Sequence, residues 1–213
     1  MDLRTLKELV RQGEGEHLEF KLKSNHPERI VREMVAFANS GGGKLLIGVG
    51  DDKTIKGLKY ADEDEYILER AIQKYCTPGI SYRTERVPVT DERDVLVFHI
   101  HRSEEKPHAV LDMFGKKKSY VRVKDKSVQA SPEMREIMKR TRRNRDIRFS
   151  YGDKERQLMQ LLDKQQSVTV DSFATTVGIP RTLASRTLVL LVLANVLEVH
   201  PDEVMDRFTV AMV

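Results

Sequence analysis

The run IVREMVAFANSGGGKLLIGVG, residues 30–50, restricts the fold more than any other stretch of this chain. Ile30, Met34, Phe37 and Ala38 recur at helical spacing, and Pro27 suits the first turn of the helix they line. Asn39–Gly43 are small residues able to take positive φ, so they end that helix. KLLIGVG then gives a buried strand, and DDKTIKG turns out of it. Such a strand needs a sheet, and the flanking segments supply one. Upstream, in GEGEHLEFKLKSN, Leu18, Phe20 and Leu22 alternate with His17, Glu19, Lys21 and Lys23, the period of a half-buried strand. Downstream, ISYRTERVPV, DVLVFHIH and KSYVRVKD alternate in the same way. MDLRTLKELVRQ and EDEYILERAIQKYC are amphipathic helices. Ser131 caps a last helix, with Pro132 at its start. The pattern predicts an α+β domain over residues 1–147, a mixed sheet with flanking helices.

After the basic stretch RTRRNRDIRFSYGD the pattern becomes nearly all helix. DKERQLMQLLDKQ carries Leu158, Leu161 and Leu162. TVDSFATTVGIPRTLASRTLVLLVL gives a helix, a turn at Gly178 and a second helix opened by Pro180. NVLEVH and RFTVAMV then pair as a hairpin. Residues 148–213 therefore read as a small winged helix-turn-helix domain, whose second helix offers Arg181, Thr182, Ser185 and Arg186 outward for a major groove. The competing reading is dimerisation. Val189 and Val192 stand where a groove-facing helix is usually polar, and the wing tip PDEVMD is acidic. The apolar excess from Leu188 to Leu193 leads us to expect a homodimer.

Composition narrows the class. The chain has 213 residues, 39% hydrophobic, with a net charge of +4. The single cysteine, Cys76, excludes an intrachain disulfide and a thiolate zinc cage. No stretch has the make-up of a signal peptide or membrane span, so a cytoplasmic protein with no membrane partner is expected.

EGEHLEFK followed by IVREMVAFANSGGGKLLIGVGDDKTIKG resembles the Schlafen-type AlbA-like domain family, over approximately residues 10–125. The marks are Glu-Phe-Lys on the first strand, Ala-Phe-Ala-Asn with glycines at a helix end, and Ile-Gly-Val before acidic residues. The resemblance implies nucleic-acid binding, with prokaryotic members described as DNA-binding or transcriptional regulators. It also implies a possible nuclease site, because animal Schlafens that cleave use three carboxylates. Glu14 and Glu19 match two of these, and Asp51 or Asp52 matches the third. Such a trio would hold Mg²⁺ or Mn²⁺ and activate water against a phosphodiester. Lys21 would neutralise a phosphate oxygen. Relatives once carried an ATPase label, but SGGGKLL follows a helix and precedes a strand, and Leu45 replaces the hydroxyl a P-loop needs.

Each feature has a plainer reading. Asp51 and Asp52 precede a turn, Glu14 suits a solvated loop, and Glu19 and Lys21 suit a stabilising pair. His99, His101 and His108 fit surface or satisfied core positions better than ligands. The cations are clustered, however. Arg135, Lys139, Arg140, Arg142, Arg143, Arg145 and Arg148 crowd the junction, and only Glu136 and Asp146 offset them. Lys116, Lys117, Lys118, Arg122 and Lys124 add a second group, with Tyr120 available to stack on a base. The expectation is a nucleic-acid-binding protein whose partner is DNA or structured RNA, acting as a regulator. The alternatives are a metal-dependent endoribonuclease and a protein-interaction scaffold.

Overall fold

The computed structural model describes residues 1–112, 114–142 and 150–211. They form two compact units, Met1–Val128 and Gln129–Val213. The first contains α1 (Leu3–Gln12), β1 (Leu18–Lys21), α2 (Pro27–Asn39), β2 (Gly43–Ile47), α3 (Ala61–Tyr75), β3 (Cys76–Thr77), β4 (Tyr82–Thr90), β5 (Arg93–Ile100), β6 (Ala109–Leu111), β7 (Lys117–Lys118), β8 (Tyr120–Val123) and the start of β9 (Lys126–Gln129). The main sheet has the order β1-β2-β5-β4. β1 and β2 are parallel and joined through α2, while β5 pairs antiparallel with both β2 and β4.

Both faces of this sheet are covered, which explains the unbroken apolar run of β2. Leu45 and Ile47 pack with Ile30, Met34 and Phe37 of α2 and with Leu68 and Ile72 of α3. Leu46 points the other way, onto Leu6 and Val10 of α1 and Phe20 of β1. The register Glu19↔Leu45 and Lys21↔Ile47 turns Glu19 and Lys21 toward the α2 side. The half-buried strand expected around Phe20 is therefore corrected. Leu18 and Phe20 are buried against α1, and Glu19 is buried as well, because Arg122 of β8 closes over the polar face together with Glu33 of α2. KSYVRVKD is also corrected. It does not join the main sheet: β8 pairs with β9 in a separate two-stranded sheet, and β7 with β6.

Asn39 fixes the far side of α2. Its amide donates to the carbonyls of His108 (2.9 Å) and Tyr120 (2.8 Å), and its oxygen accepts the His108 N–H. The following glycines close the helix, Gly42 at φ +77°. A Cβ on Gly43 would lie 2.5 Å from the Phe37 ring. They sit at a helix C-terminus, where the dipole is negative and repels phosphate.

The second unit holds α4 (Pro132–Thr141), α5 (Asp153–Gln165), α6 (Val170–Val177), α7 (Arg181–Leu193), β10 (Leu197–His200) and β11 (Arg207–Val210). Thr169 caps α6 reciprocally with Ser172, and Gly178 at φ +71° ends it. α6 and α7 are bent by 118° to one another, and β10 and β11 form an antiparallel hairpin. Leu158, Leu162, Phe173, Leu188 and Phe208 make the core of this unit. Among the described residues, no single helix is long and apolar enough to cross a membrane.

Two expectations change here. The sequence division at residues 147/148 lies beyond α4, whereas α4 belongs to the second unit and packs against α7. Much of the apolar surplus of α7 is consequently covered within one chain: Val189 is buried and Val192 packs on the core of this unit, while Leu190 and Leu193 are half-buried. Val189 and Val192 therefore need no second chain to cover them.

Candidate nucleic-acid interface

Arg122 of β8 stands at the centre of the polar face of β1. Its side chain is 1% exposed. It donates to Glu19 Oε2 (2.6 Å), to Glu33 Oε2 of α2 (3.1 Å) and to the carbonyls of Gly15 (3.0 Å) and Leu18 (3.4 Å). Its guanidinium also lies 4.8 Å from the centre of the Phe37 ring. Ser127 donates to Glu33 Oε2, and Arg32 donates to the other oxygen at 3.0 Å. Lys21 pairs with Glu19 Oε1 and donates to the Phe20 carbonyl at 2.8 Å. Two buried carboxylates thus share one buried arginine, and none of the described buried polar side-chain atoms lacks a partner.

The assigned roles of Arg122 and Lys21 change accordingly. Arg122 cannot reach a phosphate from its buried position, and Lys21 is held by Glu19. Glu14 accepts the Phe20 N–H at 2.9 Å. Its carboxyl is pushed above the ordinary glutamate range by burial, and Glu19 and Asp51 add to the shift by facing it, while the Phe20 N–H and Lys21 oppose it. Of the two aspartates, Asp51 is the one whose charge bears on Glu14. Asp52 instead accepts from Thr54 N (3.0 Å) and Thr54 Oγ1 (2.8 Å), which closes the turn. As a metal cage the donor set does not fit: both Glu19 oxygens are already taken by cations. Among the described residues, no group of three or more His, Cys, Asp or Glu side chains is placed to hold a metal ion.

The remaining candidates divide by exposure. Lys116 and Lys117 are exposed on the β6–β7 hairpin, and Lys118, half-exposed, lies 3.5 Å from Asp112. Tyr120 packs on the core, with Arg32 over its ring at 5.7 Å. Lys139 of α4 and Arg142 just beyond its end are exposed, and Arg140 is half-buried. Arg143, Arg145 and Arg148 lie outside the described residues. On α7, Thr182 and Arg186 are exposed. Ser185 donates to Glu133 at 2.6 Å, and Arg181 pairs with Asp171 at 2.8 Å, so these two hold α7 to α4 and α6. Sequence reasoning missed Phe114, which stands 79% exposed beside the lysines. An aromatic next to GKKK is its only signal in the sequence.

A mixed sheet with apolar cores on both faces, and a buried Glu19–Arg122–Glu33 cluster joining β1, β8 and α2, defines an α+β domain. The Schlafen, AlbA_2 family model matches residues 14–131, more than half of the chain, and the chain belongs to that family. Among solved structures, the DIP2311 protein from Corynebacterium diphtheriae is similar at 19% identity and TM-score 0.40, over 55% of this chain and 22% of that one. The N-terminal domain of an ATP-dependent DNA helicase RecG-related protein from Nitrosomonas europaea is similar at 19% identity and TM-score 0.42, over 55% of this chain and 86% of that domain. The chain thus spans about a fifth of the first structure's length. The curated proteins contain no significant match.

Proposed function

We propose that this protein binds nucleic acid through exposed cations and acts as a DNA-binding regulator. The observation that carries the reading is the outward display of Lys116, Lys117, Lys139 and Arg142, while the cation beside the acidic cluster, Arg122, is turned inward. Cations of this kind contact the phosphate backbone and release counterions, whatever the sequence. Membership of the Schlafen, AlbA_2 family supports the reading. The bend of 118° between α6 and α7 falls within the range of helix-turn-helix pairs, and Thr182 and Arg186 are available on the second helix. The test is a gel-shift and anisotropy series with labelled duplexes. Replacing Lys139, Arg140 and Arg142 with Ala should weaken binding to all sequences alike and reduce the salt slope by up to about 2.7, at about 0.9 per contact. An unchanged slope refutes the assignment of these residues.

Nuclease activity is a second reading, favoured by the Glu19 and Asp51 charges that both bear on Glu14. It requires Glu19 to give up Arg122 and Lys21, so we place binding ahead of cleavage. Cleavage of structured RNA with Mn²⁺, abolished by Asp51→Asn, would reverse that order.

A further inference from the structure

The face of the first unit that carries the β6–β7 hairpin has a cleft of about 760 Å³ at the hairpin's base. Arg29 and Arg32 of α2, Lys74 of α3 and Lys118 of β7 line it, and Glu28 and Asp112 are its acidic groups. Tyr75 and Tyr120 form its aromatic wall. Lys74 lies 5.0 Å from the centre of the Tyr75 ring, and Arg32 lies 5.7 Å from that of Tyr120, so each ring already accepts a cation on its face.

Hydrogen bonds tie together the described residues of the hairpin turn. Asp112 Oδ1 accepts the N–H groups of Phe114 and Lys116, each at 2.9 Å, and Asp112 N–H donates to the Lys116 carbonyl at 3.0 Å. Gly115 takes φ +73°, which the tight turn requires. This frame holds Phe114 out in water. A single exposed aromatic is ordinary on a protein surface. Here, however, it stands on a hydrogen-bonded turn, three lysines follow it, and a cationic, tyrosine-walled cleft opens below it.

We propose that this hairpin and cleft form a binding site for single-stranded nucleic acid, with Phe114 as the stacking platform for an unpaired base. Arg29, Lys74 and Lys118 contact the flanking phosphates. The chemistry selects this ligand. Paired bases hide their faces inside the helix stack, so Phe114 gains nothing from a duplex, whereas a splayed strand offers both base faces and phosphates. An acidic peptide would satisfy the cations but leave Phe114 unused. The proposal rests on the nucleic-acid reading above and deepens it, because it names the strand state and the residues.

The test is fluorescence anisotropy of the full chain with a labelled oligothymidylate, an oligouridylate of equal length and a duplex. Phe114→Ala should lower affinity for both single strands about 5- to 150-fold, the equivalent of the roughly 1–3 kcal/mol that stacking of one base contributes, and leave duplex affinity unchanged. Phe114→Trp should retain single-strand affinity. Replacing Arg29 and Lys74 with Ala should reduce the single-strand salt slope by about 1.4, at about 0.7 per contact. Wild-type binding that Phe114→Ala leaves intact on every probe overturns this proposal alone. Wild-type protein that binds none of the probes overturns the nucleic-acid reading as well. Displacement of the oligonucleotides by a polyglutamate peptide with equal loss in the Phe114→Ala variant would assign the site to an acidic protein partner and overturn the proposal. Equal affinity for the deoxy and ribo strands identifies stacking and phosphate contacts as the source, and a preference for the ribo strand adds a 2′-hydroxyl contact.

Discussion

Replacing Arg122 with Met removes the one cation that Glu19 and Glu33 share, and keeps most of the apolar volume of the arginine stem. Two carboxylates then remain buried on facing elements, with Lys21 and Arg32 at their outer oxygens. The carbonyls of Gly15 and Leu18 lose their donor as well. Breaking a buried ion pair by removing one partner costs about 3–5 kcal/mol, and here one removal breaks two pairs, so the upper end applies. With a urea m value of about 1.5 kcal/mol/M, the midpoint should fall by about 3 M. The assay is urea unfolding followed by tyrosine fluorescence. Five of the six tyrosines, Tyr60, Tyr66, Tyr75, Tyr82 and Tyr120, lie in the first unit. Combining Arg122→Met with Glu19→Gln and Glu33→Gln should recover much of the loss, because the neutral set no longer buries unpaired charge. An Arg122→Met protein with an unchanged midpoint and weakened nucleic-acid binding would refute the reasoning, since Arg122 would then be an external phosphate contact.

Three further outcomes follow from the same geometry. His99 is pushed down to about 4, first by burial and then by Arg83, Lys44, the chain's amino terminus and His101, although its Nε2 lies 2.9 Å from Glu85. Its folded value is below its unfolded one, so its contribution to stability is present above about pH 6.5 and lost as pH falls toward 4, a span of about 2–3 kcal/mol that His99→Gln should remove from the pH profile of urea unfolding. Asn39→Ala should destabilise by about 2–4 kcal/mol in the same assay, because the His108 N–H and the His108 and Tyr120 carbonyls lose their partner in the interior. Gly48→Ala should cost about 1–3 kcal/mol, read as a lowered thermal midpoint, since Gly48 sits at φ +103° with its Cβ position 3.0 Å from the Gly57 Cα.

The helix into β2 and the strand itself were legible because burial on both sheet faces writes an unbroken apolar run between recognisable helix and turn signals. The hairpin formed by β10 and β11 was legible for a similar local reason. The polar face of β1 was not. Alternation reports that Glu19 and Lys21 share a side, but whether that side meets water depends on Arg122, 103 positions away. The same distance hid the reversal of Arg122 itself, since a run of lysines with an arginine looks external from the sequence, and only packing shows which member folds inward. The placement of α4 with the second unit was hidden too: the basic stretch after it resembles a linker, while the contacts that decide its allegiance, Ser131 to Asp206 and Ser185 to Glu133, are set by the fold. Asp51 and Asp52 are adjacent in sequence and became distinguishable only once Thr54 was seen to occupy the second.

The most direct test of the central claim, that this protein binds nucleic acid through its exposed cations, is the salt dependence of wild-type affinity for a labelled single strand and a labelled duplex. The account predicts a straight log–log line with several released counterions, and a fall of orders of magnitude between about 50 and 200 mM salt. No binding at the lowest salt, or an affinity that does not change with salt, would contradict it.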